Sequence, residues 1–195
     1  IDLRYNGGGS VRNCVELASI ITGQLTGEVF SNELWNSKLD AYFLEKYGSD
    51  SQKNRFVNVL SDGEPINSLE LNRVFILTTS ESASASELLI NGLAPLIEVI
   101  HIGEQTVGKN VGSITVYDYI DNDGTRNPDH RYAMQPIVLK IANSEGFADY
   151  ADGLEPSTFI EEGLQNMGTL GDKNEPFLAT VLNLIEGTTD KYNIP

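Results

Sequence analysis

The sequence predicts an α/β protein built around a parallel sheet. Residues 73–79 form a short apolar run of the kind found in strands that are buried on both faces. A helical pattern follows at residues 84–96, and residues 99–103 form a second apolar run. A strand, a helix and a strand within about 30 residues make a βαβ unit, whose two strands are parallel.

The chain opens on residues 1–4, which have the pattern of the end of a strand already under way. We therefore expect this sequence to be a piece of a longer protein. Residues 10–22 predict a helix with Ser10 as its N-cap and Gly23 as its stop signal. Its buried face is expected to contain Val11, Cys14, Val15, Ala18 and Ile21.

Residues 28–70 are rich in aromatic side chains but have no sustained hydrophobic period. Two polar stretches, residues 48–54 and 61–68, predict loops. Aromatic side chains in such a stretch are expected mainly in the core. A lid over a substrate is the alternative interpretation.

Residues 113–119 and 132–141 predict two further strands, and the turn-forming residues 121–124 predict that they form a β-hairpin extension. The last predicted helix covers residues 176–186 and ends at Gly187. Its inward face is expected to contain Leu178, Val181, Leu182 and Ile185.

Composition excludes several classes of protein. The 195 residues suit one domain and carry 13 basic against 28 acidic side chains, a net charge of −15. This balance argues against nucleic acid or an anionic membrane surface as a partner. No apolar run approaches the roughly 18 residues of a membrane span. A single cysteine, Cys14, excludes an internal disulfide and is expected to be a core residue.

Neither a metal nor a cofactor is expected. The two histidines, His101 and His130, have no other ligand type at metal spacing, and His101 is expected to be a core residue bonded to backbone. The acidic turn at residues 121–124 resembles a calcium loop only superficially. Tyr119 and His130 would occupy the first and twelfth loop positions, where carboxylates are required.

The segment Ser-Ala-Ser-Ala-Ser-Glu at residues 82–87 is the most unusual in the chain, because it lies between a buried strand and a helix. A serine at a helix N-terminus lies beside unpaired amides that can stabilise an oxyanion. Ser84 is therefore a candidate nucleophile. Since Ser84 and Glu87 also have the spacing of a capping box, a purely structural role is the alternative.

Lys109 is the candidate base for such a serine. It ends a glycine-bounded loop, residues 103–109, directly after a buried strand, where α/β proteins place ligands. If buried, the lysine would lose its proton more easily and could accept the serine proton. The loop does not fit a phosphate-binding motif, because Asn110 replaces the required Ser or Thr and a strand follows.

Three consecutive glycines at residues 7–9 also follow a strand. Glycines let backbone amides approach a ligand closely, as an oxyanion hole requires. On its own this triplet is equally compatible with an ordinary turn.

Taken together, these segments resemble the carboxyl-terminal processing (tail-specific) serine peptidases. Residues 2–9 resemble the family's Asp-Leu-Arg-x-Asn-x-Gly-Gly segment, residues 82–87 its nucleophile segment, and residues 103–109 its Gly-Glu-x-Thr-x-Gly-Lys segment. Residues 153–156 resemble its Gly-x-x-Pro turn, with Ser157 where Asp is usual. Ser84 and Lys109 lie 25 positions apart, as in the family.

The resemblance implies a crotonase/ClpP-like layered α/β fold with a mostly parallel sheet, flanking helices and the hairpin extension. It implies Ser84 as nucleophile and Lys109 as general base, with the amides of Ala85 and Gly8 as the oxyanion hole and Gly7 as the fallback donor. It implies no metal and no cofactor. The implied activity is endopeptidase cleavage of unfolded or C-terminal tail segments, in the bacterial periplasm or cell envelope.

Two departures from the family pattern affect these expectations. Ser113 stands where the family often has a Gln that orients the lysine, so Ser113 is expected to be an accessory residue. The family's upstream PDZ domain and N-terminal core strands are absent from residues 1–195, which are expected to form a partial catalytic domain. An exposed sheet edge then predicts a homo-oligomer or association with the missing upstream part.

Two alternatives remain open from the sequence. A degenerate peptidase would hold peptides or act as a scaffold without cutting them. A crotonase-type enzyme acting on acyl-coenzyme A would also use paired backbone amides. Such an enzyme would need neither Ser84 nor Lys109. The acidic chain also lacks a basic patch that would bind the phosphates of coenzyme A, which argues against this alternative.

Overall fold

The computed structural model describes residues 1–165 and 167–187. Within them the chain forms four α-helices: α1 Val11–Ile21, α2 Ser37–Tyr47, α3 Ala85–Leu93 and α4 Pro176–Glu186. The strands of the described residues are β1 Val29–Trp35, β2 Lys53–Arg55, β3 Arg73–Thr78, β4 Glu98–Gly103, β5 Val111–Ser113, β6 Val116–Tyr117, β7 Ala133–Met134, β8 Ile137–Asn143 and β9 Thr158–Phe159. The predicted α/β class is confirmed. None of the described helices has the length and hydropathy needed to cross a membrane.

A parallel sheet of β3, β4 and β9 carries the site described below. The N-terminal residues extend this sheet, because Asp2 bridges Leu77 in parallel and the Leu3 amide donates to the Leu77 carbonyl at 2.9 Å. The strand expected at residues 1–4 is thus represented by this pairing. As the βαβ pattern predicted, α3 connects β3 to its parallel neighbour β4.

A second sheet has the order β2-β1-β8-β5 and is antiparallel throughout. The hairpin expected after residue 113 begins in this sheet, where β5 pairs with β8, and continues as the separate ribbon of β6 and β7. A bridge between Tyr119 and Arg126 lies near its tip. The two strands predicted for this region are therefore each divided in two.

The main core lies between α1, α3 and the strands. The predicted inward face of α1 is confirmed, since Cys14, Val15, Ala18 and Ile21 are buried and Val11 packs partly against them. Phe30 and Phe56 meet edge to face, with ring centroids 5.3 Å apart. The Phe30 ring occupies the space where a side chain at Gly92 of α3 would lie.

The aromatic stretch at residues 28–70 divides between core and surface. Phe30 and Phe56 belong to the core, whereas α2 buries no residue. The aromatic side chains of α2 instead contact one another and Trp35, whose ring centroid lies 4.7 Å from that of Phe43. Because α2 has no buried face, it leaves no hydrophobic period in the sequence, and the helix was missed together with β1 and β2.

A buried ion-pair network joins the N-terminal strand to α4. Arg4 pairs with Asp2 at 2.8 Å and with Glu162 and Glu175 at 3.0 Å each. Its guanidinium also lies 4.6 Å from the ring centroid of Phe177. Since Glu175 is the N-cap of α4, the network fixes where this helix starts and which of its faces is turned to the sheet.

The inward face predicted for α4 is wrong in part. Phe177 is buried, and Val181 and Leu184 pack beside it, whereas Ile185 is half exposed. α4 is apolar on more than one side, so its sequence contains two overlapping stripes at helical spacing. The contact between Arg4 and Phe177 selects the stripe that the sequence pattern alone did not distinguish. Gly187 does end the helix, in the left-handed region.

Candidate active site

Ser84 lies in a sharp turn between β3 and α3 and is the N-cap of α3. Its φ and ψ of 61° and −113° lie outside the regions that side chains normally adopt. Such a conformation costs about 1–3 kcal/mol and persists only where surrounding contacts enforce it. Ser84 and Glu87 also form the predicted capping box, in which Glu87 Oε2 accepts from the Ser84 amide at 2.7 Å.

The two flanking serines hold this turn in place. The Ser82 hydroxyl is fully buried and donates to the Leu3 carbonyl at 2.8 Å. The Ser86 hydroxyl donates to the Asn6 carbonyl at 2.9 Å and also lies 3.0 Å from Asn6 Oδ1. The alternating serines therefore have different roles: the outer two fasten the turn to residues 3–6, and Ser84 faces the cavity described below.

The glycine segment approaches this turn very closely. Gly8 has a φ of +99°, and a β-carbon built on it would stand 2.8 Å from the Ala85 nitrogen. The Gly8 amide itself donates to Asn6 Oδ1 at 2.9 Å. Ala85 is the first residue of α3, where an amide has no acceptor within the helix. The two amides expected to bind an oxyanion thus belong to neighbouring segments, with one of them engaged by Asn6.

Lys109 follows β4 on the loop that the sequence singled out, and its backbone amide donates to Glu87 Oε2 at 2.9 Å. Its side chain is exposed. Burial of this lysine, on which the argument for an easily lost proton depended, is therefore not found in the described residues. The reason is the open cavity in front of the loop, which leaves the side chain in contact with solvent.

One cavity of about 520 Å³ brings the predicted residues together. Its walls include Gly8, Ser84, Ala85, Lys109, Ser113 and Tyr150. Three segments that are far apart in the sequence therefore meet at one opening. Ser113, at the end of β5, lies in the same wall as Lys109.

Two residues of this region were not singled out as functional by the sequence. Tyr150 lines the cavity but is itself buried, and desolvation together with the nearby Glu87 raises the pKa of its phenol. Glu87 was recognised only as a capping residue, although it contacts both the serine turn and the lysine loop. No local pattern reports such long-range contacts, because three of the four donors to Glu87 lie 19 to 22 residues further along the chain.

The histidines lie away from the cavity. His101 is buried, with Nε2 2.6 Å from Thr78 Oγ1 and Nδ1 3.2 Å from the Glu155 carbonyl, and burial lowers its pKa. His130 lies on the hairpin beside Asp118. Across residues 1–165 and 167–187, no cluster of three potential metal ligands occurs. Asp121 Oδ1 accepts from the amides of Asp123 and Thr125, which is a turn rather than a cation loop.

Comparison with known proteins assigns the family. The family model described as Peptidase family S41 matches residues 1–135, which is more than half of the chain. The chain belongs to peptidase family S41. The expected relation to serine peptidases is thereby confirmed, and the matched region contains the glycine segment, Ser84 and Lys109. No curated protein matches this S41 chain.

Solved structures agree with this assignment. A putative S41 protease from Bacteroides fragilis is 25% identical, with a TM-score of 0.74 over 97% of this chain and 44% of its own. Mature CPAF complexed with lactacystin is 14% identical, with a TM-score of 0.59 over 95% of this chain and 43% of its own. The photosystem II D1 C-terminal processing protease is 19% identical, with a TM-score of 0.52 over 82% of this chain and 33% of its own. The last two likenesses concern the fold. The S41 chain spans less than half the length of each of these three proteins.

Proposed function

We propose that this chain is the catalytic part of a serine endopeptidase in which Ser84 is the nucleophile and Lys109 the general base. The observation that carries the proposal is the single cavity whose walls contain Ser84, Lys109, Gly8 and Ala85. The strained backbone of Ser84 supports it, because such strain is found at functional positions more often than elsewhere. The proposal includes the expectation that these residues are part of a larger catalytic domain with a crotonase-like arrangement.

In the proposed reaction, neutral Lys109 takes the Ser84 hydroxyl proton while Ser84 Oγ attacks a peptide carbonyl carbon. The amides of Ala85 and Gly8 then donate to the tetrahedral oxyanion, with the Gly7 amide as the fallback donor. Lys109 returns the proton to the leaving amine as the C–N bond breaks. Water attacks the resulting acyl-enzyme and releases Ser84, so that the net reaction is hydrolysis of one peptide bond.

Two features of the free site require a change when substrate binds. The exposed Lys109 side chain must lose its contact with water, and a peptide lying in the cavity would displace that water. Removing water from the amine disfavours its charged form. The Gly8 amide must also leave Asn6 Oδ1 or share itself between that atom and the oxyanion. Ser113, in the same wall as Lys109, is proposed as an accessory residue that helps to orient the amine.

The proposed substrate is an unfolded protein or an exposed C-terminal tail. An extended segment can enter an open cavity, whereas a folded surface presents its peptide bonds in structured backbone. Association with a second copy or with the upstream part of the protein is proposed from the expected exposed sheet edge. A location in the bacterial periplasm or cell envelope is proposed from the family resemblance. No cofactor is involved in this mechanism.

The experiment follows cleavage of an unfolded model protein by the full-length enzyme and its variants. We expect wild type to release peptides and Ser84→Ala to release none. Ser80→Ala is the matched control, because it makes the same change at an exposed serine four residues earlier. Lys109→Arg should also abolish cleavage, since arginine stays charged, while Lys173→Arg at an exposed site should not. Cleavage that survives Ser84→Ala would refute the proposal.

A second candidate is a peptide-binding module that does not cut. The bond between the Gly8 amide and Asn6 Oδ1 favours it, because an amide that stays bonded to Asn6 gives an oxyanion less stabilisation than a free one. Peptide binding by wild type without any peptide release in the same assay would support this candidate over the peptidase.

A further inference from the structure

Glu87 is a buried carboxylate that the proposed chemistry does not use. It has no exposed surface, and in the part of the chain that the structure describes it forms no ion pair. A carboxylate without a cation is expensive to bury unless hydrogen bonds satisfy its oxygens. The position of Glu87 in the first turn of α3 helps, because the N-terminal end of a helix carries partial positive charge.

Four donors converge on this carboxylate. Oε1 accepts from the Thr106 hydroxyl and from the Gly108 amide, each at 2.6 Å. Oε2 accepts from the Ser84 amide at 2.7 Å and from the Lys109 amide at 2.9 Å. The backbone of the nucleophile and the backbone of the base therefore share one acceptor atom.

Thr106 extends this connection to the turn at residues 153–156. Its hydroxyl donates to Glu87 and accepts from the Leu154 amide at 2.8 Å. The backbones of the lysine loop and of residues 151–153 pack directly against each other. A β-carbon on Gly108 would stand 2.1 Å from the Ala151 carbonyl oxygen, and a β-carbon on Gly153 would stand 2.1 Å from the Thr106 carbonyl oxygen. The lysine loop is thus held between Glu87 and this turn.

We propose that Glu87 is a positioning residue that fixes the Ser84 turn relative to the Lys109 loop. The inference rests on the proposed peptidase function. It adds a positioning role for Glu87, which touches neither the substrate nor the reacting atoms. A displacement of about 1 Å between reacting groups can reduce a rate about 100-fold. Loss of this clamp should therefore slow the chemical step and leave peptide binding intact.

The test measures kcat, KM and the melting temperature of the full-length enzyme with a peptide substrate. Glu87→Gln keeps the shape of the side chain, but its amide nitrogen cannot accept, so the bonds to one oxygen are lost. We expect kcat to fall about 10- to 100-fold with KM within about twofold of wild type. Glu81→Gln, the same change at an exposed position in the same turn, should leave kcat unchanged.

Thr106 variants keep the inference testable if Glu87→Gln does not fold. Thr106→Val removes the hydroxyl and keeps the volume, and it should lower kcat, whereas Thr106→Ser retains the donor and should recover most of it. A folded Glu87→Gln with wild-type kcat, or equal kcat in Thr106→Val and Thr106→Ser, would overturn the inference. Ser84→Ala separates the two proposals: if it is inactive while Glu87→Gln is fully active, only the role of Glu87 is wrong.

Discussion

The Gly8 backbone lies against Ser84 with no room for a side chain, since a β-carbon on Gly8 would stand 2.5 Å from Ser84 Cβ. It would also stand 2.7 Å from the Ala83 carbonyl oxygen, which is backbone and cannot rotate away. The glycine segment and the serine turn therefore hold each other in place. This contact brings a second amide to the helix N-terminus at which Ser84 lies.

Gly8→Ala should remove activity while the protein remains folded. The added methyl group forces the glycine segment away from Ser84, and the φ of +99° disfavours any side chain. Displacing one oxyanion donor typically costs about 100- to 1,000-fold in rate. Peptide release by the variant, together with its far-ultraviolet circular dichroism, checks this. Gly9→Ala adds its methyl group in open space and should lose far less activity; equal losses in the two variants would contradict the account.

The Arg4 network should contribute more to stability than surface ion pairs do. Arg4→Met leaves Glu175 buried without its cation, since the two side chains are 3% and 2% exposed. Breaking a buried pair on one side costs about 3–5 kcal/mol in the free energy of unfolding. Urea denaturation measures the loss. Arg12→Met, which breaks a pair between the exposed Arg12 and the partly buried Glu16, should cost no more than about 1 kcal/mol. Equal losses of unfolding free energy in the two variants would show that the Arg4 network stabilises the protein no more than a surface ion pair does.

Burial of His101 should make stability depend on pH near neutrality. Desolvation lowers the pKa of the folded imidazole, so below the ordinary value of about 6.5 the unfolded chain binds more protons. The contribution is fully present above that pH and is lost as the pH falls. The melting temperature should therefore fall between about pH 7.5 and pH 5.5, and His101→Gln should flatten this slope. An unchanged slope in His101→Gln would assign the dependence to other groups.

Cys14 should not react in the native protein. Burial raises the pKa of its thiol to about 12, so the reactive thiolate is scarce at pH 8. Mass spectrometry after treatment with iodoacetamide should detect no adduct in buffer and complete labelling in concentrated urea. Rapid labelling without urea would show that α1 opens away from α3, where the Cys14 thiol now contacts the Ala85 carbonyl.

The sequence predicted the elements that surround the site. α1, α3, β3 and β4 have strong hydrophobic patterns, because each buries a face against the core. The family resemblance assigned roles to Ser84 and Lys109, and the structure places both in the wall of one cavity. Local sequence and spacing made Ser84 and Lys109 candidates, and the family resemblance supplied their roles.

What the sequence missed depends on contacts between distant segments. α2 is stabilised by aromatic side chains that contact one another on the surface, which leaves no period to detect. Glu87 has a recognisable capping position, yet three of its four donors come from the lysine loop. The exposure of Lys109 could not be read from the sequence either, because it depends on the cavity in front of the loop.

The most direct test of the central claim is chemical labelling of the full-length protein with a fluorophosphonate, which reacts with activated serines. Peptide mapping by mass spectrometry then identifies the modified residue. The account predicts a single adduct on Ser84, strongly reduced in Lys109→Arg and unchanged in Lys173→Arg. An adduct on another serine, or labelling of Ser84 that does not depend on Lys109, would contradict it.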